Sequence, residues 1–163
     1  MIKVALLSDT HGFMDDQILD LCAGSNEIWH AGDIGTLAVT DALEKVAPVR
    51  AVYGNIDGAS IRSVWPLHQR FKVENCDFWI THIGGYPNRY DRRVRDALYS
   101  KPPQFFICGH SHILKVMRDQ KLGLMHLNPG AIGKQGFHKK RTLLRFKLAE
   151  GRLFELEVVE LER

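Results

Sequence analysis

The stretch Ile2-Lys3-Val4-Ala5-Leu6-Leu7-Ser8-Asp9-Thr10-His11-Gly12 sets the terms for the whole chain. Residues 2–8 are a largely apolar run of strand length that stops on Asp-x-His followed by glycine. A buried strand thus delivers a carboxylate and an imidazole to the loop at its C-terminal end. The design recurs twice downstream. Residues 27–30 form a short strand stopped at Ala31-Gly32-Asp33, and residues 49–53 form a third stopped at Gly54-Asn55. Between them, Asp15 caps a helix running to about Cys22, and a second helix spans about Leu37 to Val46 before Pro48. Strands alternating with helices predict a parallel α/β arrangement.

The second half changes character. Residues 70–74 and 77–81 flank Asn75-Cys76 and read as a hairpin, and a helix covers 90–100. Strands are predicted at 104–108, 113–118, 122–127, 141–148 and 152–159, with turns at Gly123, Gly133–Gly136 and Glu150-Gly151. The expectation is one α/β domain over residues 1–163, largely parallel in its first half and antiparallel in its second. Asp9, Asp33, Asn55, His82 and His110 each fall just after a predicted strand. In open α/β sheets that edge is where ligands bind.

Bulk composition narrows the class without naming a chemistry. A chain of 163 residues suits one core and leaves no room for a second. Its 45% hydrophobic and 25% charged residues are ordinary for a globular protein. No apolar run of about eighteen residues exists to span a membrane, and the N-terminus lacks the pattern of a signal peptide. Cys22, Cys76 and Cys108 form no CxxC pair and read as thiols of a reducing compartment, so a cytoplasmic location is expected. The net charge of +3 is too small to indicate nucleic acid. The basic clusters Arg89, Arg92, Arg93, Arg95 and Lys139, Lys140, Arg141 read as solvated surface. Assembly into a homo-oligomer stays open.

The strand ends carry Asp9 and His11, Gly32-Asp33, Gly54-Asn55, Thr81-His82 and Gly109-His110-Ser111-His112. These are carboxylates, imidazoles and an amide, with no thiol, a donor set that suits Mn, Fe, Zn, Co or Ni better than a structural zinc site. Seven donors exceed one tetrahedral ion and match two ions sharing a carboxylate. Two such ions about 3.5–4 Å apart can clamp an in-line displacement, which points to hydrolysis of a phosphate ester. The glycines before Asp33, Asn55 and His110 would let the backbone approach a metal or phosphate closely.

The motifs Ser8–Gly12, Gly54–Asp57, Gly109–His112 and Asn128–Gly130, in this order and with His82 between, resemble the calcineurin-like metallophosphoesterase superfamily. The small single-domain bacterial and archaeal phosphodiesterases of that superfamily match best. The resemblance implies an α/β sandwich of two mixed β-sheets flanked by helices. It implies that Asp9, His11 and His112 hold one divalent cation, that Asn55, His82 and His110 hold a second, and that Asp33 bridges them. Mn is the first choice, with Ni, Co, Fe or Zn as alternatives. A water or hydroxide shared by the ions would attack a small phosphate-ester substrate, Asn55 would also bind a phosphate oxygen, and Asp57 would orient a ligand such as His82.

Two departures stand out. Many members of the superfamily carry a proton-donating His between Asn and Asp, where this chain has Ile56. After His82 the chain reads Ile83-Gly84-Gly85, where near relatives commonly have Gly-His. Both concern protonation of the leaving group, not metal binding. Of the remaining histidines, His30 is expected to pack or hydrogen-bond behind the site, and His68, His126 and His138 to be surface or structural. Trp29, Trp65 and Trp79 read as core or rim, and Asn128-Pro129-Gly130 as a turn. Two other functions share these features: a phosphomonoesterase, and a non-catalytic protein-binding scaffold of the same fold, as in the retromer complex.

Overall fold

A computed structural model describes residues 1–163. Strands β1 (Ile2–Leu7), β2 (Glu27–His30) and β3 (Val49–Ala51) run parallel, with helices α1 (Asp16–Cys22) and α2 (Leu37–Glu44) between them. Asp15 caps α1 as its sequence position requires, with Oδ1 accepting from Ile18 N at 3.0 Å. The chain then forms α3 (Ala59–Arg62), the hairpin β4 (His68–Val73) and β5 (Cys76–Thr81), and a miniature hairpin of β6 (Gly85–Tyr86) and β7 (Arg89–Tyr90). Helix α4 (Arg92–Ser100) leads to β8 (Phe105–Ile107), β9 (Lys115–Asp119), β10 (Leu124–Asn128), β11 (Lys140–Ala149) and β12 (Arg152–Glu162).

Two five-stranded sheets result, in the orders β12-β11-β1-β2-β3 and β4-β5-β8-β10-β9. Both are mixed. The expectation of an antiparallel second half is corrected: β5, β8 and β10 are mutually parallel, and only their flanking partners β4 and β9 run the other way. The crossovers through α4 and through β9 reverse the chain twice, which no local pattern announces. The last hairpin returns to the first sheet, where β11 pairs antiparallel with β1 from Ile2↔Leu148 to Leu6↔Leu144.

Side-chain alternation builds three cores. Val4, Leu6, Trp29, Phe78, Ile80, Phe105, Ile107, Leu144 and Phe146 fill the space between the sheets. Ala5, Leu7 and Ile28 face the other way, onto Ile18, Val39, Leu43 and Ile61 of the three N-terminal helices. Trp79, Phe106 and Leu124 pack on Val94 and Leu98 of α4. Because both faces of each sheet are covered, the central strands read as continuous apolar runs. Arg141, expected on the surface, is only 2% exposed; it lies beside Phe13 and reaches the Glu162 carbonyl. No helix is long and apolar enough to cross a membrane.

Candidate metal centre

The C-terminal ends of the parallel strands carry the expected side chains. Asp9 and His11 follow β1, Asp33 follows β2, Asn55 follows β3, His82 follows β5, and His110 and His112 follow β8. The loops are tied together as extensions of the sheets, with Asp9 N donating to Gly32 O, His11 N to Asp33 O and Gly109 N to His82 O, each at 3.0 Å. A bond from His110 N to Asp9 Oδ2 at 3.2 Å crosses from one sheet to the other.

Backbone conformation marks the same residues. Asp9, His11, Asp33, His110 and His112 all have positive φ, between 47° and 71°. The left-handed region costs a non-glycine residue on the order of 1–2 kcal/mol, and such strain concentrates where surrounding structure enforces it for function. Five of the seven residues singled out by their chemistry therefore sit in turns that glycine would occupy more cheaply.

Their side chains form two groups: Asp9, His11 and His112 in one, and Asp33, His82 and His110 in the other. Asp9 Oδ1 lies 3.2 Å from His112 Nε2, 3.7 Å from His11 Nε2 and 3.8 Å from His82 Nε2. Asp33 Oδ2 lies 3.4 Å from His11 Nε2 and 3.2 Å from His82 Nε2, so it stands between the groups. Yet Asp9 Oδ1, His11 Nε2 and His82 Nε2 are buried without a hydrogen-bond partner. At 3.7 Å the Asp9–His11 approach is a charge contact and not a hydrogen bond. Buried polar atoms left unpaired while facing one another fit a shared cation. Asn55 is exposed and lines a cleft with His110 on one side and with His82 on the other.

The supporting contacts explain how this set is held. His82 Nδ1 lies 2.7 Å from Ala31 O. A carbonyl only accepts, so Nδ1 carries a proton and Nε2 is left as the atom that would bind a metal, as for a metal-bound imidazole. The expectation that Asp57 orients His82 is corrected. The Asp57 carboxylate instead accepts from the backbone N–H groups of Ile34 (3.0 Å), Gly35 (2.9 Å) and Gly54 (2.8 Å), fastening the Asp33 turn to the Asn55 turn. Ser8 Oγ donates to Asp9 Oδ2 at 2.6 Å, and Ile56 N donates to Asp33 Oδ1 at 3.1 Å. Asn128 Nδ2 reaches Gly109 O at 3.1 Å and Ser111 Oγ at 3.2 Å, which orients the loop of His110 and His112. Asn128-Pro129-Gly130 reads as a turn by its own chemistry, and the family resemblance places it near the site, where Asn128 lies.

The glycines also make room within the site itself, and Gly32 turns the chain after β2 with a φ of 102°. A Cβ at Gly32 would stand 2.5 Å from His82 Nδ1, one at Gly54 2.1 Å from Asp33 Oδ1, and one at Gly109 2.7 Å from Asp9 Oδ2. The space at each of these glycines is taken by the chain's own site residues.

Electrostatics agree with the geometry. Burial raises the Asp9 carboxyl, but its approaches to His11 and His112, the charge of His82 and the Ser8 hydroxyl together hold it well below the usual carboxylate range. Burial likewise raises Asp33, and His82 and the Ile56 N–H bring it down overall. The His11 imidazole is raised chiefly by Asp9. Burial lowers His82, and Asp33 and Asp9 more than reverse that. His30 lies behind the site as expected. Gly32 N donates to its Nδ1 at 3.1 Å, so Nε2 carries the proton toward Thr10 Oγ1 at 3.0 Å. Burial lowers the pKa of His30 to about 4, so it is neutral and cannot serve as an acid toward substrate.

Comparison with known proteins bears on the family and the fold. A probable metallophosphoesterase of Methanothermobacter thermautotrophicus is 27% identical over 135 residues, covering 78% of this chain and 76% of that one. The crystal structure of wild-type Vps29 from Entamoeba histolytica complexed with Zn²⁺ superposes with a TM-score of 0.75 at 16% identity, over 99% of both chains. A structure described as a novel archaeal phosphodiesterase gives 0.75 at 20% identity, over 98% of this chain and 100% of that one. At these identities the structures establish the fold alone. The family model of the calcineurin-like phosphoesterase superfamily domain matches residues 2–151. That span contains every residue of the two clusters, and the chain belongs to the calcineurin-like phosphoesterase superfamily.

Proposed function

We propose that the chain hydrolyses phosphodiesters with the help of two divalent cations. The observation that carries this reading is the set of buried, unpaired atoms Asp9 Oδ1, His11 Nε2 and His82 Nε2, gathered within 3.2–3.8 Å of carboxylates on strained turns. Asp9, His11 and His112 would hold one cation, Asn55, His82 and His110 the other, with Asp33 between them. Mn is the first choice for this nitrogen and oxygen set. When bound, such ions neutralise the phosphate and lower the pKa of a water between them. The protein's part is positional: Ala31 O fixes the His82 ring, Asp57 fixes the two turns, and Ser8 and His110 N fix Asp9. Asn55, exposed on the rim, is placed to donate to a phosphate oxygen.

Likeness of fold to Vps29 fits a protein-binding scaffold as well as an enzyme. The retention of all seven donors, and the strain held at five of them, favours the enzyme. The test is turnover of bis(p-nitrophenyl) phosphate and p-nitrophenyl phosphate after chelation, dialysis and addition of Mn, Co, Ni, Zn or Mg in turn, with bound metal counted. Activity should vanish with the metal and return best with Mn, Co or Ni, and the diester should be the faster substrate. Unchanged turnover in excess chelator would remove the metal from the chemistry. Two bound ions with no ester hydrolysed would leave the scaffold.

A further inference from the structure

The arginines that read in sequence as a solvated face do not all have that role. A cleft of about 540 Å³ runs from Asn55 and His110 to Arg89 and Arg93. This volume is typical of a site for a nucleotide-sized group. Arg89 has no ion-pair partner. Arg93 is 64% exposed, and its one acidic neighbour, Asp91, stands 3.6 Å away. Asp91 is already engaged at the start of α4, where its Oδ1 accepts from Arg93 N at 2.9 Å. Asp91 also lines the cleft, so its two arginines leave one net positive charge beside Asn55 and His110. Arg93 also lines the second cleft, of about 270 Å³, that contains Asn55 and His82.

Tyr86, the cross-strand partner of Arg89 in the β6–β7 hairpin, lines the same cleft. Tyr86 is 38% exposed in the cleft, and Lys115 Nζ stands 4.2 Å from the centre of its ring. The floor includes Ile83, Gly84 and Gly85, the segment where this chain departs from the Gly-His of near relatives.

We infer that this cleft is a subsite for a second anionic group held by Arg89 and Arg93, so that the preferred diesters carry a further phosphate beyond the one cleaved. The inference rests on the phosphodiesterase reading of the metal centre. Guanidinium groups pair with phosphate oxygens in a fixed fork, and one such charge-assisted contact is worth on the order of ten- to a hundredfold in affinity.

The experiment compares two substrates with the same leaving group: thymidine 5′-(p-nitrophenyl phosphate) with and without a 3′-phosphate. In the wild type the 3′-phosphorylated compound should be favoured in kcat/KM by tenfold or more, and less so at high salt. In Arg89→Gln/Arg93→Gln that ratio should fall toward one, while the melting temperature reports that the fold is kept. Turnover of both compounds with a ratio near one in the wild type overturns the subsite and leaves the phosphodiesterase reading standing. A ratio unchanged by the double substitution overturns the assignment to these arginines. Turnover of neither defeats the phosphodiesterase reading, and the subsite is then judged by calorimetry of metal-loaded protein with thymidine 5′-phosphate and thymidine 3′,5′-bisphosphate. Equal affinities there overturn it, and a tenfold preference for the bisphosphate lost in the double variant sustains it.

Discussion

Gly54→Ala tests the packing around the central carboxylate with a single methyl group. A Cβ at this position would lie 2.1 Å from Asp33 Oδ1, 2.3 Å from Asp33 N and 2.8 Å from Asp33 Cγ. The backbone there is not left-handed, so alanine meets no conformational barrier of its own. The whole effect must come from pushing Asp33 away. Moving it breaks the bond from Ile56 N to Oδ1 and withdraws Oδ2 from its place 3.4 Å from His11 and 3.2 Å from His82. Overpacking costs about 1–3 kcal/mol, and the lost freedom of the unfolded chain returns about 0.4–1 kcal/mol. A net loss of about 1–2 kcal/mol lowers Tm by about 2–8 °C in a domain of this size. Misplacing a central ligand by an ångström reduces catalysis by about a hundredfold. The assay is kcat/KM for bis(p-nitrophenyl) phosphate at saturating Mn, with Tm and bound metal measured alongside. Gly58→Ala is the control, because nothing lies within 4 Å of its Cβ. A Gly54→Ala protein within twofold of wild type in rate and unchanged in Tm would show that Asp33 is not held as described.

Other consequences can be checked independently. Asp33→Asn should lose most activity while melting close to the wild type, because an amide bridges two cations poorly; near-wild-type turnover at saturating metal defeats the bridging role. Acid stability follows from His30, whose folded pKa of about 4 lies below the ordinary 6.5. The unfolded chain therefore binds the proton first, so the His30 contribution to stability is complete above about pH 6.5 and falls by about 3 kcal/mol toward pH 4, with His126, lowered by burial to about 4, adding a like slope. Urea unfolding in chelator should show that slope, and His30→Gln should flatten it by about one proton; an unaltered slope rules His30 out as its source. With Ile56, 48% exposed, where a proton donor often stands, log kcat/KM should fall steeply as the leaving-group pKa rises, and Ile56→His should flatten the line. A shallow line in the wild type points instead to His68, which lines the cleft with Asn55 and His82 and whose Nδ1 accepts from Trp79 Nε1 at 3.3 Å.

The first sheet was legible because its logic is local. β1, β2 and β3 are covered on both faces, so each appears as an apolar run, and each ends on the polar residue that its turn presents. The hairpins β4–β5 and β11–β12 were legible from their turns. What sequence did not show is which sheet a strand joins. Residues 141–148 were recognised as a strand, but the pairing of Leu148 with Ile2 closes nearly the whole chain. The parallel order of β5, β8 and β10 was hidden in the same way, since an apolar strand has the same pattern whichever direction its neighbour runs. α3, four residues long, and the two-residue strands β6 and β7 are too short for any periodicity to register.

The site divides along the same line. Side chains that act through their own chemistry were readable: Asp9, His11, Asp33, His82, His110 and His112 converge into two clusters. Groups that act through the backbone were not. The Ala31 carbonyl that fixes His82 leaves no trace in residue type, because every residue has one. Asp57 was assigned to His82 because a carboxylate near a metal ligand suggests an imidazole partner; three backbone N–H groups claimed it instead. The error is instructive about the strain. Left-handed turns at Asp9, Asp33 and His110 hold only if neighbours enforce them, and those neighbours are backbone bonds and missing Cβ atoms at Gly32, Gly54 and Gly109. At these glycines the sequence gives up a side chain so that another can be held in place. That is why a methyl group at Gly54, which touches no substrate, should be as damaging to catalysis as many changes to the ligands themselves.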